Sequence, residues 1–162
     1  NKRGDTKLMQ YFQDKFVEES GHDKWAEADI KRLKKQKKGV SVPTDADEAM
    51  SALLRGIEGW IQKDPYLYLP YIFFAEYLTV LYGPKMNRAL IEKCGYLPHS
   101  MTVVENHAEL DKEHVNEWEE VIAEIVDEER YRAAFLEVLQ TSVTLHKAFF
   151  VSCAQRKLHA AS

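Results

Sequence analysis

Read at alternating steps of three and four, residues 104–125 give Val104, His107, Asp111, His114, Trp118, Val121 and Ile125. That spacing puts these side chains on one face of an α-helix. The two ends of the stripe are apolar and must be buried, so the middle, two imidazoles and a carboxylate, is buried with them. Burying such groups without partners costs several kcal/mol. The fold therefore has to bring compensating charge to this helix from elsewhere, and a metal ion is an economical way to supply it.

The rest of the chain reads as more helix. Seven glycines and five prolines in 162 residues, with few alternating Val/Thr-rich runs, argue against a sheet and for an all-α fold, residues 1–162 forming a single helical metal-binding domain. From about Asp5 to Lys35 a single helix is predicted, with Leu8, Phe12, Phe16, Glu19, His22, Ala26, Ile30 and Leu33 near one face. Glu19 and His22 are the polar members of that face, and Gly21 between them reads as a place where another helix comes close. The basic run from Lys31 to Lys38, followed by Gly39, suits a helix carboxyl end facing solvent. A second helix is predicted from Asp47 to Lys63, burying Met50, Leu53, Leu54, Ile57 and Trp60, and ending at Asp64-Pro65.

The next segment, about Tyr66 to Tyr82, is the most apolar of the chain. Its length suits a membrane span, but five tyrosines, Pro70 and the carboxylate of Glu76 favour a buried central helix. A lone carboxylate there must be protonated, paired or metal-bound. Gly83-Pro84 is expected to break the chain before a short helix at residues 86–93. The helix carrying the polar stripe then runs to about Val126, and a last amphipathic helix starts at Asp127.

Three helices thus present metal-type side chains at core positions: Glu19 and His22; Glu76; and His107, Asp111 and His114. Carboxylates and imidazoles without thiolates suit iron or manganese better than structural zinc. Six ligands are too many for one ion that keeps an open position, and helix bundles do build two-metal carboxylate sites from facing helices. A ferrous pair can reduce dioxygen, which side chains alone cannot do. Glu18, Glu105, Glu109, Glu113 and Glu117 lie off the stripes and read as solvated or supporting groups. His99, His146 and His159 have no partners at ligand spacing. The net charge of −4 and pI near 5.9 give no reason to expect nucleic acid. Two cysteines outside any CxxC pattern, and no visible signal peptide, fit a reducing cytoplasm.

The run Glu18-Glu19-Ser20-Gly21-His22-Asp23-Lys24-Trp25 with Asp29, the carboxylate Glu76 in an apolar helix, and His107-Ala108-Glu109-Leu110-Asp111-Lys112-Glu113-His114 together resemble the haem-oxygenase-like diiron oxidases and oxygenases. This branch shares its fold with thiaminase-like and pyrroloquinoline-quinone-synthase-like proteins. The resemblance runs from Glu18 to the last helix. It implies a bundle of up to seven helices, often a homodimer, in which Glu19, His22, Glu76 and His107 bind iron and Asp111 and His114 complete a second position. It implies two Fe(II) ions, dioxygen as co-substrate and an external electron donor. The substrate is then a small amino acid or fatty acid, undergoing N-oxygenation, oxidative decarboxylation, carbon–carbon cleavage or nitrile formation in natural-product biosynthesis. Family chains carry helical sequence before the Glu-x-x-His segment, so an amino-terminal part is expected to be missing. The resemblance also implies a helix loosely held around 107–114 without metal, which agrees with the cost of burying its polar stripe. Trp60, Phe73, Tyr77 and Trp118 are candidate pocket walls, although core packing accounts for each as well. Two other readings stay open: a metal-free relative (a thiaminase-like hydrolase or cofactorless oxidase), and a non-catalytic or self-sacrificing protein donating Tyr68, Tyr71 or Tyr77.

Overall fold

The computed structural model describes residues 2–37 and 45–155, and these are all-α. Six α-helices and one short 3-10 turn follow in order: α1 Lys2–Glu19, α2 Asp23–Gln36, α3 Glu48–Lys63, the turn Pro65–Leu67, α4 Tyr68–Cys94, α5 Thr102–Ile125 and α6 Glu128–Gln155. No described helix is long and apolar enough to cross a membrane. The chain forms two compact units, Asn1–Gly39 with Ala75–Val126, and Val40–Phe74 with Asp127–Ser162.

The first unit packs α1 and α2 against α5 and includes most of α4. Two boundaries differ from expectation. The helix predicted over 5–35 is broken at Ser20–His22, where Gly21 takes φ +92°. An added Cβ at Gly21 would meet nothing within 4 Å. This glycine therefore serves a left-handed turn and not the close approach of another helix. Conversely, α4 continues through Gly83-Pro84, where a break was predicted. The close approach is here: a Cβ at Gly83 would lie 3.2 Å from the Ala108 methyl and 3.3 Å from Val104 Cγ1 on α5. Gly83 also has no Cβ to clash with the ring of Pro84, which is what normally drives the preceding residue out of helix. Packing and the missing side chain together carry the helix past a local breaker.

α5 begins at a residue, Met101, that supplies no side-chain cap. Its cap comes from α2. Asp29, only 2% exposed, accepts a hydrogen bond from the Val103 N–H at 2.9 Å and another from the Thr102 hydroxyl at 2.7 Å. It is also paired with Arg32, which donates to Thr102 Oγ1 at 2.7 Å. Burial pushes the Asp29 carboxyl up, but these donors outweigh it and hold it below the usual range. The preceding loop is pinned by Gln36, whose amide donates to Ser100 Oγ at 2.7 Å and accepts from Leu97 N–H at 3.1 Å. The start of α5 is thus fixed against α2 by polar contacts as well as by packing.

In the second unit α3 packs on α6. Asp47 caps α3 through Met50 N–H and also accepts from Ser152, while Asp64 caps the 3-10 turn and accepts from the Tyr131 hydroxyl at 2.8 Å. Leu53, Leu67, Leu69, Tyr131 and Val138 form the core, but Leu54, expected inside, is 48% exposed. Trp60 and Tyr71 sit in an aromatic cluster of this unit, with ring centroids 5.9 Å apart.

Candidate metal centre

All six of the predicted ligands lie in the first unit, where they fall into two triads: Glu19, His22 and His107, and Glu76, Asp111 and His114. Within each triad the ligand atoms lie within 4.8 Å of one another.

The first triad depends on the break between α1 and α2. Glu19 closes α1 and His22 precedes α2, so the left-handed turn at Gly21 folds one back on the other. Glu19 Oε2 is 2.8 Å from His22 Nδ1, which is 3.2 Å from His107 Nε2, and the third side, His107 Nε2 to Glu19 Oε2, is 3.4 Å. Bonds of about 2.1 Å to a common ion set ligand–ligand edges of about 3.0 Å at right angles and about 3.4 Å at tetrahedral angles. The triangle has those dimensions.

Its protons are also arranged for a cation. His107 Nδ1 lies 2.7 Å from the Val103 carbonyl, which can only accept, so Nδ1 carries hydrogen and Nε2 turns its lone pair to the centre of the triad. Hydrogen-bonded support of this kind on the far ring nitrogen is what orients metal-binding histidines. With neutral rings, His22 has at most one proton to share with two acceptors. Burial tends to raise the Glu19 carboxyl, but the hydrogen bond from His22 and the closeness of His107 more than offset it and leave it lowered. Trp25 stacks on the His22 ring at 4.0 Å and meets His107 edge-on at 5.5 Å, fixing both ring planes.

The second triad is more deeply placed. Glu76 and Asp111 are buried, and His114 Nδ1 faces both, 3.4 Å from Glu76 Oε1 and 3.7 Å from Asp111 Oδ1. That buried nitrogen makes no hydrogen bond, so its donor or lone pair is aimed at the carboxylates without being satisfied by them. Burial pushes the Asp111 carboxyl up to about 6, with the Glu76 carboxylate adding to the rise. His107 and His114 pull the other way, while Glu19 adds to it, so the two triads feel each other's charge through Asp111. Glu76 is raised as well, chiefly by burial. The donor set fits a hard or borderline divalent ion, and the two edges that meet at His114 Nδ1, 3.4 and 3.7 Å, are no shorter than the longest edge of the first triad.

One residue near the triads was not foreseen. Lys15 places its buried Nζ 3.1 Å from Glu76 Oε1 and 3.1 Å from Glu18 Oε2. Phe16, expected on the inner face of α1, is instead 76% exposed. The signal for Lys15 was present: positions 15, 19 and 22 repeat the four-then-three spacing of 107, 111 and 114. Glu18, read as a solvated or supporting group, takes the supporting place: it pairs with Lys15 and lies 3.6 Å from His114 Nε2. Of the candidate pocket walls, Trp118 lines a cavity of about 180 Å³ beside Glu76 and His114, together with Tyr11 and Val121. His146 donates Nδ1–H to the Ser142 carbonyl at 3.0 Å and packs on Phe74.

Comparison of this chain with protein-family models, with curated proteins and with solved structures gives no match.

Proposed function

We propose that the chain is a non-haem diiron oxidase or oxygenase of the haem-oxygenase-like kind, acting on a small amino acid or hydrophobic acid. The observation that carries this reading is the convergence of six metal-type side chains, from separate stretches of sequence, into two adjoining triads of one packed unit. Glu19, His22 and His107 would hold one Fe(II), and Glu76, Asp111 and His114 the other. Bound ferrous iron supplies the electrons that dioxygen needs and that side chains lack.

The chain's own contributions are orientation and exclusion. Val103 fixes the His107 tautomer, Trp25 covers the His22 ring, and the buried setting of Glu76 and Asp111 keeps water from competing for the second position. The cavity lined by Tyr11, Trp118 and Val121 adjoins the second triad and offers an apolar wall to part of a substrate. An external electron donor, a homodimeric state and a cytoplasmic setting belong to this reading as further proposals.

The test is anaerobic reconstitution with Fe(II), metal analysis, and oxygen uptake after mixing with air in the presence of a panel of amino and fatty acids. Two iron per chain and oxygen uptake accelerated by one class of acid support the reading. Iron-independent turnover of a substrate would favour the metal-free alternative.

A further inference from the structure

The second triad already holds a cation. Lys15 reaches in from α1, its side chain 14% exposed, and its ammonium lies 3.1 Å from the Glu76 oxygen that also faces His114. Glu18 sits at the same distance on its other side. Taking a lysine head group out of water is unfavourable unless charge compensates it, so the carboxylates hold Lys15 here as much as Lys15 neutralises them. Among the described residues the first triad has no such resident: the polar partners of Glu19, His22 and His107 are one another and the Val103 carbonyl.

Resting on the metal reading above, we propose that Lys15 is a resident cation that makes loading of the two triads sequential. A divalent ion entering the Glu76–Asp111–His114 triad would compete with the ammonium for the same Glu76 oxygen, Oε1, which faces both Lys15 and His114, and would be repelled by it at that distance. It therefore binds only as the ammonium leaves Glu76. The adjoining cavity gives the side chain somewhere to go, since Asp14, Glu18 and Glu117 line it. Metal fills the Glu19–His22–His107 triad first, and the second site is weaker by the work of displacing Lys15. The centre thus passes through a one-metal form in which an ammonium stands at the second position.

Isothermal titration calorimetry with Co(II), on the full chain and on Lys15→Met, Lys15→Gln and Lys15→Arg variants, tests this. The native chain is expected to show two phases at least tenfold apart in affinity. Removal of the charge in Lys15→Met and Lys15→Gln should tighten only the weaker phase, at least tenfold, and leave the tighter one within threefold. Lys15→Arg should keep the second phase weak, whereas a purely steric role of Lys15 would keep it weak in Lys15→Met as well. Tightening of both phases alike, or no change in the weaker one, overturns the role given to Lys15 while leaving a two-metal centre standing. Absence of Co(II) binding in every variant overturns the metal reading and this inference with it.

Discussion

Asp29→Asn separates charge from shape at the residue that fixes the start of α5. All three groups around Asp29 donate to it: Val103 N–H to one oxygen, and Arg32 and the Thr102 hydroxyl to the other. Asparagine offers one acceptor oxygen, so whichever way the amide turns, its NH2 meets a donor. Hydrogen bonds to a charged group are each worth about 1.5–3 kcal/mol, and stranding a buried donor costs about 1–3 kcal/mol. The contacts share one carboxylate and do not add, so the expected loss is about 3 kcal/mol. In a chain of this size that is roughly 6–12 °C in melting temperature. The pH dependence carries a second signature. The folded carboxyl is held below 3.8, so its contribution is fully present above the unfolded value and is lost as pH falls through the folded one. Urea unfolding of the two proteins should therefore differ most at neutral pH and converge in acid. Val103 links this residue to the site, accepting from His107 through the residue whose N–H Asp29 caps. Loosening it should weaken metal binding about 10–100-fold, as loss of an outer hydrogen bond to a metal-binding histidine does. A variant within 0.5 kcal/mol of native at pH 7 would refute the capping argument.

Four further perturbations follow from the structure. The metal-free protein should lose stability as pH rises from about 3.8 to about 6, because the folded Asp111 carboxyl, raised to about 6, binds its proton more tightly than the unfolded chain does. The loss is about 3 kcal/mol, and Asp111→Asn should flatten that part of the urea-derived profile. Gly21→Ala, at φ +92°, should destabilise by about 1–2 kcal/mol and widen the Glu19–His22 spacing, read as weaker Co(II) binding at the tighter site. Gly59→Ala, on α3 with nothing within 4 Å of the added methyl, should stabilise by about 1 kcal/mol. Gly83→Val, whose Cβ is crowded by Ala108 and Val104, should destabilise by about 1–3 kcal/mol; thermal melts of the pair check both signs.

Much of this arrangement could be read from spacing alone, because helical periodicity is a property of neighbouring residues. The stripe from Val104 to Ile125 faces inward, with Asp111 and Ile125 buried at its centre and end. Asp47 caps α3 where the chain signals it. What spacing could not supply was the outcome of competition between local preference and packing. Gly83-Pro84 is a breaker in isolation, yet the fit of Gly83 against Ala108 carries α4 through it. Gly21 is compatible with either a close approach or a left-handed turn, and only the folded chain decides for the turn. Lys15 shares the spacing of Glu19 and His22, but a lysine at a helix face ordinarily reaches solvent. Its inward course depends on Glu76, a residue far away in sequence that no local pattern connects to it.

The central claim is that two metal ions sit between six named side chains, and anomalous X-ray diffraction from crystals of the iron- or cobalt-loaded chain tests it without reference to turnover. At saturating metal the account predicts two anomalous peaks, one among Glu19, His22 and His107 and one among Glu76, Asp111 and His114, with Lys15 withdrawn from Glu76. Loaded crystals with no peak at either triad, or with metal held only by other residues, would contradict it.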